Sequence, residues 1–245
     1  MIRSAGSSKT VVEPLDVVLG DEREANDRPW VMVNMISSLD GGTSVDGKSS
    51  GLGDEDDFAM FQAFRTVPDV ILVGASTVTA EDYSPVSLDP ARRARRAEMG
   101  RAEAPTLAIV SGRLSIDPEA KVFSDPDSKP LIITGTEADP SKLMMLGDAA
   151  DVVILQQLDP PTILGQLGAA QTVLLEGGPS LNGQFTAAGL IDEVNLSLAP
   201  VLIAGGSSRI TRGAELKFPQ RMLVDRVLYG DRLMFIRYVR TEAEA

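Results

Sequence analysis

Two places in this chain set polar, chemically capable residues against the end of an apolar run. The stretch "LLEGGPSLNGQF" closes a strand-like run with Glu176, then gives Gly177, Gly178, Pro179 and Ser180 before a helix-compatible segment. A carboxylate there can accept donors from a substrate or help to move a proton. The glycines let an anion approach the backbone, and Pro179 suits a first helical turn whose free N–H groups favour negative charge. The second place follows "DVILVG", where Ala75, Ser76 and Thr77 are small and hydroxylic. A tight strand-to-helix turn accounts for either junction alone equally well. Both together, at the carboxyl edge of an open α/β sheet, favour a ligand cleft.

What the chain lacks narrows the chemistry. It has no histidine and no cysteine. Ser-His-Asp hydrolysis, histidine general-base catalysis, His- or Cys-ligated metals, disulfides and cysteine nucleophiles are therefore excluded. Any reaction must run on carboxylates, hydroxyls, Lys, Arg, backbone donors or a borrowed cofactor. A formal charge of −12 argues against a nucleic-acid or anionic-membrane surface, so the expected partner is a small organic substrate.

Two charged stretches admit more than one account. The basic segment 89–101, "DPARRARRAEMGR", is a solvated helix or loop on the plain account, or on a sharper one an anion-binding rim where Arg92 or Arg93 meets a phosphate. The acids of "SVDGKSSGLGDEDD" suit a helix start better than a cation loop, and they would repel a pyrophosphate. No Walker loop or Rossmann fingerprint is present.

The elements that must carry these residues follow from pattern. With 43% hydrophobic and 24% charged residues over 245 positions, the chain reads as a soluble globular protein. Residues 1–28 are polar and irregular, an arm before a single domain at 29–245. A strand is expected at 30–36 and a helix at 54–65, with Phe58, Phe61 and Phe64 at core spacing. "DVILVG", "TLAIVSG", "PLIITGT", "DVVIL" and "TVLLEGG" are continuous apolar runs, the pattern of strands buried on both faces. Helical pieces at 140–147, 160–170 and 179–189 alternate with them, which predicts a mainly parallel sheet with helices on both faces. "EVNLSLAPVLIAGG" reads as one long strand. "MLVDRVLYGDRLMFIRYVR" reads as an antiparallel hairpin turning at Gly230-Asp231. The N-terminus lacks a secretory pattern and no run reaches the roughly 18 apolar residues of a membrane span, so a cytoplasmic protein is expected.

"MISSLDGG", "DVILVGASTVTAEDYSP" and "LLEGGPSLNGQFTAAGLIDEVNLSLAPVLIAGG" resemble, in order and spacing, the reductase domain of the riboflavin-biosynthesis deaminase-reductases and the related stand-alone pyrimidine reductases. The resemblance runs from about Trp30 to the C-terminal hairpin. It implies a dihydrofolate reductase-like α/β fold, a homodimer, and NADPH-dependent reduction of a ribosylamino-pyrimidine 5′-phosphate, with hydride delivered to the sugar C1. By resemblance, Glu176 and Glu81 are the catalytic candidates. Ser49, Arg65, Asn34 and Asp40 are substrate positions, Arg65 as a phosphate partner. Thr77, Ser111, Arg113, Gly177, Gly178, Pro179, Ser180 and Leu181 are cofactor positions, Arg113 pairing a 2′-phosphate.

The chain departs from the family pattern in three places. Glu81-Asp82-Tyr83 stands where the family has Asp-Asp-Pro, Asn34 where it often has lysine, and Gly51 where it has an aromatic residue. Two alternatives stay open: the same fold and cofactor acting on a pterin such as dihydrofolate, and a non-catalytic nucleotide-binding protein.

Overall fold

The structure is a computed structural model that describes residues 1–4, 10–125 and 128–241. It begins with β1 (Arg3–Ser4), α1 (Pro14–Leu19), β2 (Trp30–Ser38), α2 (Glu55–Thr66), β3 (Val70–Gly74), α3 (Ala75–Ala80), α4 (Pro90–Glu98) and β4 (Thr106–Ser111). The middle holds β5 (Leu131–Gly135), α5 (Pro140–Leu146), β6 (Asp151–Leu155), α6 (Pro160–Leu164) and β7 (Thr172–Leu175). It closes with α7 (Pro179–Ala187), β8 (Glu193–Ala199), β9 (Met222–Tyr229) and β10 (Met234–Arg240). Among the described residues all ten strands join one sheet, ordered β1-β9-β10-β8-β2-β7-β3-β4-β5-β6. From β8 to β6 neighbouring strands run parallel; β10, β9 and β1 add antiparallel pairs at one end.

Strand side chains alternate between faces, and here both faces are apolar. Met32, Ile71, Ile109, Ile132 and Leu174 enter one buried cluster; Val31, Leu72, Ala108, Ile133 and Val173 enter another. Val18 of α1, Phe64 of α2 and Leu146 of α5 pack into the first, and Ile163 of α6 and Phe185 of α7 into the second. Helices therefore cover both faces, and the strands read as unbroken apolar runs for that reason.

Several expectations need correction. The segment read as an irregular arm carries β1 and α1, and buries Ile2 and Val18 in the core; its residues 5–9 lie outside the described residues. Asp54, expected as the first residue of the helix, instead caps α2, its side chain accepting from the Asp57 N–H at 3.0 Å. The phenylalanine stripe, however, is not the core stripe. Phe58 is 61% exposed, Phe61 faces a cavity, and the buried residues are Met60, Ala63, Phe64 and Thr66. The long strand expected after Glu193 stops at Ala199, because Pro200 has no N–H for the ladder. The helix expected over 160–170 ends at Leu164, with Gly168 at a positive φ of 63° soon after.

Candidate active-site cleft

The strand order places β7 between β2 and β3. The two junctions singled out from sequence therefore lie side by side. The Gly74 N–H donates to the Gly177 carbonyl at 2.7 Å. A Cβ on Gly178 would lie 2.5 Å from the Thr77 hydroxyl oxygen, so only glycine permits this approach. A cavity of about 350 Å3 opens against these junctions, lined by Ser76, Thr77, Gly178 and Pro179, and by Asn34, Ser49, Glu81 and Glu176 from the facing segments. Ligands of open α/β sheets bind at such carboxyl ends.

Glu176 follows the last residue of β7 and is buried. Its Oε1 accepts from Arg65 Nε at 2.7 Å and its Oε2 from Arg65 Nη2 at 2.6 Å, a bidentate pair. The Tyr83 hydroxyl adds a third bond to Oε2 at 2.7 Å. The guanidinium lies 4.2 Å over the Phe61 ring and 5.3 Å from the Tyr83 ring. Burial alone would lower the Arg65 pKa, but the Glu176 charge and hydrogen bonds leave it raised. Burial and then the Glu176 charge push the Tyr83 hydroxyl well above its ordinary value of 10.0, so it stays a donor. Glu176 is thus presented to the cavity as an acceptor in a rigid frame.

The other candidates are placed unevenly. Glu81 Oε1 accepts from the Ser49 backbone N–H at 2.9 Å, joining two expected site residues directly. Asn34 projects from β2 into the cavity wall. Arg65 is committed to Glu176 rather than free for a phosphate. Asp40 lies outside the cavity lining; it accepts from Ser38 Oγ at 2.6 Å and Ala204 N–H at 2.7 Å, and staples two loops. Ser111 is buried at the end of β4, its hydroxyl accepting from Ser115 N–H at 2.9 Å. Arg113, with its side chain 80% exposed, pairs with Glu137 at 3.0 Å. Ser180 is exposed in the first turn of α7, while Leu181 is buried and packs into the second apolar cluster.

The arginine-rich segment forms α4 and does not line the cavity. Arg92 pairs with Asp89, and Arg95 with Glu98. Arg96 is buried, donating to the carbonyls of Thr66, Pro68 and Ala102; burial lowers its pKa to about 10. It ties α4 to the end of α2 and is no phosphate ligand.

Sequence reasoning missed Asp57, Phe61 and Tyr83. Asp57 and Phe61 line the cavity one helical turn apart on α2, and Arg65 follows at the same spacing. That i, i+4, i+8 stripe was the available signal. Among the described residues no group of three or more His, Cys, Asp or Glu could hold a metal, and no helix is long and apolar enough to cross a membrane.

A mainly parallel sheet with an antiparallel C-terminal end fits the expected dihydrofolate reductase-like α/β fold, with the cleft at its glycine-rich junctions as the candidate site. The chain belongs to the RibD C-terminal domain family, whose model matches residues 29–230. It is 28% identical over 186 residues to the 2,5-diamino-6-ribosylamino-4(3H)-pyrimidinone 5′-phosphate reductase of Methanothermobacter thermautotrophicus, covering 74% of this chain and 82% of that one. Riboflavin biosynthesis protein RibD of Mycobacterium tuberculosis is 31% identical over 199 residues, covering 78% of this chain and 50% of that protein. The chain thus spans about half the length of that relative. A pyrimidine reductase-like protein from Corynebacterium diphtheriae superposes with a TM-score of 0.84 at 27% identity, over 94% of this chain and 100% of the other.

Proposed function

We propose that this protein is an NADPH-dependent oxidoreductase of riboflavin biosynthesis, reducing the ribosyl side chain of a ribosylamino-pyrimidine 5′-phosphate to ribityl. The observation that carries this reading is the convergence of both glycine and hydroxyl junctions with Glu81 and Glu176 on one cavity. The residues present fit a nicotinamide cofactor. Bare backbone at Gly177 and Gly178, the start of α7 at Pro179, Ser180 and Leu181, and the Thr77 hydroxyl form a cradle that a Cβ at Gly178 would fill. When bound, NADPH supplies the hydride for the sugar C1.

The chain's own residues serve the other half of the reaction. Opening the sugar ring breaks the C1–O bond as the amino nitrogen forms a C1=N bond, and the proton that nitrogen gives up passes to the departing oxygen; the nitrogen regains one from water once hydride reaches C1. Glu81, held by the Ser49 N–H through one oxygen, keeps its second oxygen for that transfer. Glu176 orients the substrate through the acceptor position that Arg65 and Tyr83 leave open, about one of four, and Arg65 is a positioning residue for it. Asn34 and Ser49 are substrate contacts from the cavity wall. Arg113 can leave its exposed partner at little cost to meet a 2′-phosphate, close to Ser111 at the end of β4.

Exposed Leu202, Leu223 and Val224 support a homodimer. A concentration-independent monomer on sedimentation would reject the dimer. The activity is tested by anaerobic NADPH oxidation with the ribosylamino-pyrimidine phosphate. Turnover by the parent, with loss in Glu176→Ala and Glu81→Ala, is expected. NADPH binding without turnover of any pyrimidine would leave a nucleotide-binding protein instead.

A further inference from the structure

Two amides sit side by side on the sheet face that α2 covers. Parallel pairing of β2 with β8 sets Asn34 directly beside Asn195, so both side chains leave one face of the sheet, about 5 Å apart. Asn195 is buried, and a buried amide left unpaired is costly. Its Nδ2 donates to Glu193 Oε1 at 2.8 Å, two residues back along the same face. Glu193 is itself enclosed by Arg23, Arg237 and Trp30, so this end of the Asn195 amide is held fast.

The other end of that amide is still available. Among the described residues the Asn195 carbonyl meets no donor, and it is not sealed off from space as the Asn182 carbonyl is. It opens on a small cavity lined also by Met60 and Phe64 of α2 and by Asn34. The cavity, about 10 Å3, has the room of one water, which needs two or more polar partners and finds them in the two amides. Asn34 has no hydrogen-bond partner for its amide among the described residues, and it lines the large cleft as well. An amide that must find its orientation when substrate arrives loses rotamer freedom at that step, whereas one already fixed does not.

We infer that Asn195 is a positioning residue for Asn34. Anchored by Glu193, its carbonyl accepts from one water in the small cavity, and that water accepts an N–H of Asn34. The Asn34 amide then keeps its carbonyl and its second N–H for the cleft. The inference rests on the proposed role of Asn34 as a substrate contact.

The test joins kinetics at saturating NADPH to a crystal structure of the parent. Asn195→Leu keeps the approximate shape of the side chain and removes the carbonyl. It should raise KM for the ribosylamino-pyrimidine phosphate about five- to tenfold, near the worth of one hydrogen bond, with kcat within about twofold. In an Asn34→Ala background the same change should move KM by less than about twofold, because its effect passes through Asn34. Glu193→Gln keeps a carbonyl for the Asn195 bond, and should leave KM within about twofold although it weakens the fold.

Electron density of the parent should show one water within hydrogen-bond reach of both amides, a readout that needs neither a variant nor turnover. Four results would each overturn the inference: unchanged KM in a folded Asn195→Leu protein, independent effects of the two changes in the double variant, a KM rise in Glu193→Gln equal to that in Asn195→Leu, or density without that water. If Asn195→Leu does not fold, Asn195→Ala takes its place in the same cycle, and the density decides if neither folds. Turnover of no pyrimidine, with the water in place between the amides, would overturn the proposed activity and support the link from Asn195 to Asn34.

Discussion

Among the described residues two buried glutamates sit in arginine networks, and their differences separate a site from a scaffold. Glu193, at the start of β8, is fully buried and meets Arg23, Arg237, Trp30 Nε1 and Asn195 Nδ2 at 2.8–3.1 Å. Asp21 and Asp225 extend the network around the arginines. Every oxygen of Glu193 is enclosed by protein donors. Glu176 has one arginine and one tyrosine, which leave about one acceptor position free, and it lines the cavity. The first network spends its charges on holding the N-terminal segment to the sheet. The second holds a carboxylate rigid while leaving it available.

The largest expected effect is on the closed network. Burial works against the charge on Glu193, but Arg23 and then Arg237 bring its pKa down from 4.5 to about 2. A depressed acid stabilises the folded state fully above its ordinary pKa, and that contribution fades as pH falls from about 4.5 to about 2. At roughly 1.4 kcal/mol per pH unit this amounts to about 3 kcal/mol. Glu193→Gln should therefore lower unfolding stability by about 3 kcal/mol at pH 7 while kcat/KM per folded molecule stays within about twofold. The gap between parent and variant in denaturant melts should close as the pH approaches 2. A gap that persists there would show that the carboxylate charge is not what holds this region.

Glu176→Gln should reverse the balance. Losing the charged acceptor at the cavity is expected to lower kcat/KM about 100-fold, in the range for removal of one electrostatic group from an active site. Its stability should fall as well, because the buried Arg65 guanidinium loses its counter-charge, but here the loss comes together with the fall in kcat/KM. If stability fell as far as in Glu193→Gln with kcat/KM intact, the two glutamates would be equivalent structural ions and the contrast would collapse.

The contrast was half legible in the sequence. The glycine junctions, the acidic first turn of α2 and the C-terminal hairpin are local signals, set by a few adjacent residues, and each lies where pattern placed it. The partners of Glu176 are not local. Arg65 and Tyr83 stand 111 and 93 residues away, and their contact depends on how α2 is rotated over the sheet. The same holds for the N-terminal segment, whose polar composition hid α1. Arg23 reaches Glu193 across 170 residues, and no periodicity within 1–28 signals that pairing. The arginines of α4 misled for the opposite reason, since a basic run shows charge but not direction. Arg96 turns inward to backbone carbonyls.

Tyr83→Phe removes one of the three donors on Glu176 and should lower kcat/KM by about five- to tenfold, near the worth of one hydrogen bond to a charged group. The pH profile provides a second check. The raised Tyr83 pKa means that the parent loses no activity through this hydroxyl below about pH 10. An alkaline limb near pH 9 that disappears in Tyr83→Phe would assign the hydroxyl a titrating role instead.

The smallest effect is expected where an ion pair is neither enclosed nor facing the cavity. Arg113 and Glu137 are 80% and 74% exposed, so water and salt screen them and the pair contributes little to folding. That low cost is what would let Arg113 exchange Glu137 for a cofactor phosphate. Arg113→Ala should leave the thermal midpoint unchanged and raise KM for NADPH about three- to fivefold, while KM for NADH, which lacks the 2′-phosphate, stays constant. An equal rise for both cofactors would place Arg113 on a part they share. No change for either would leave it a solvated charge, and the discrimination between cofactors would then have to come from another residue near the end of β4.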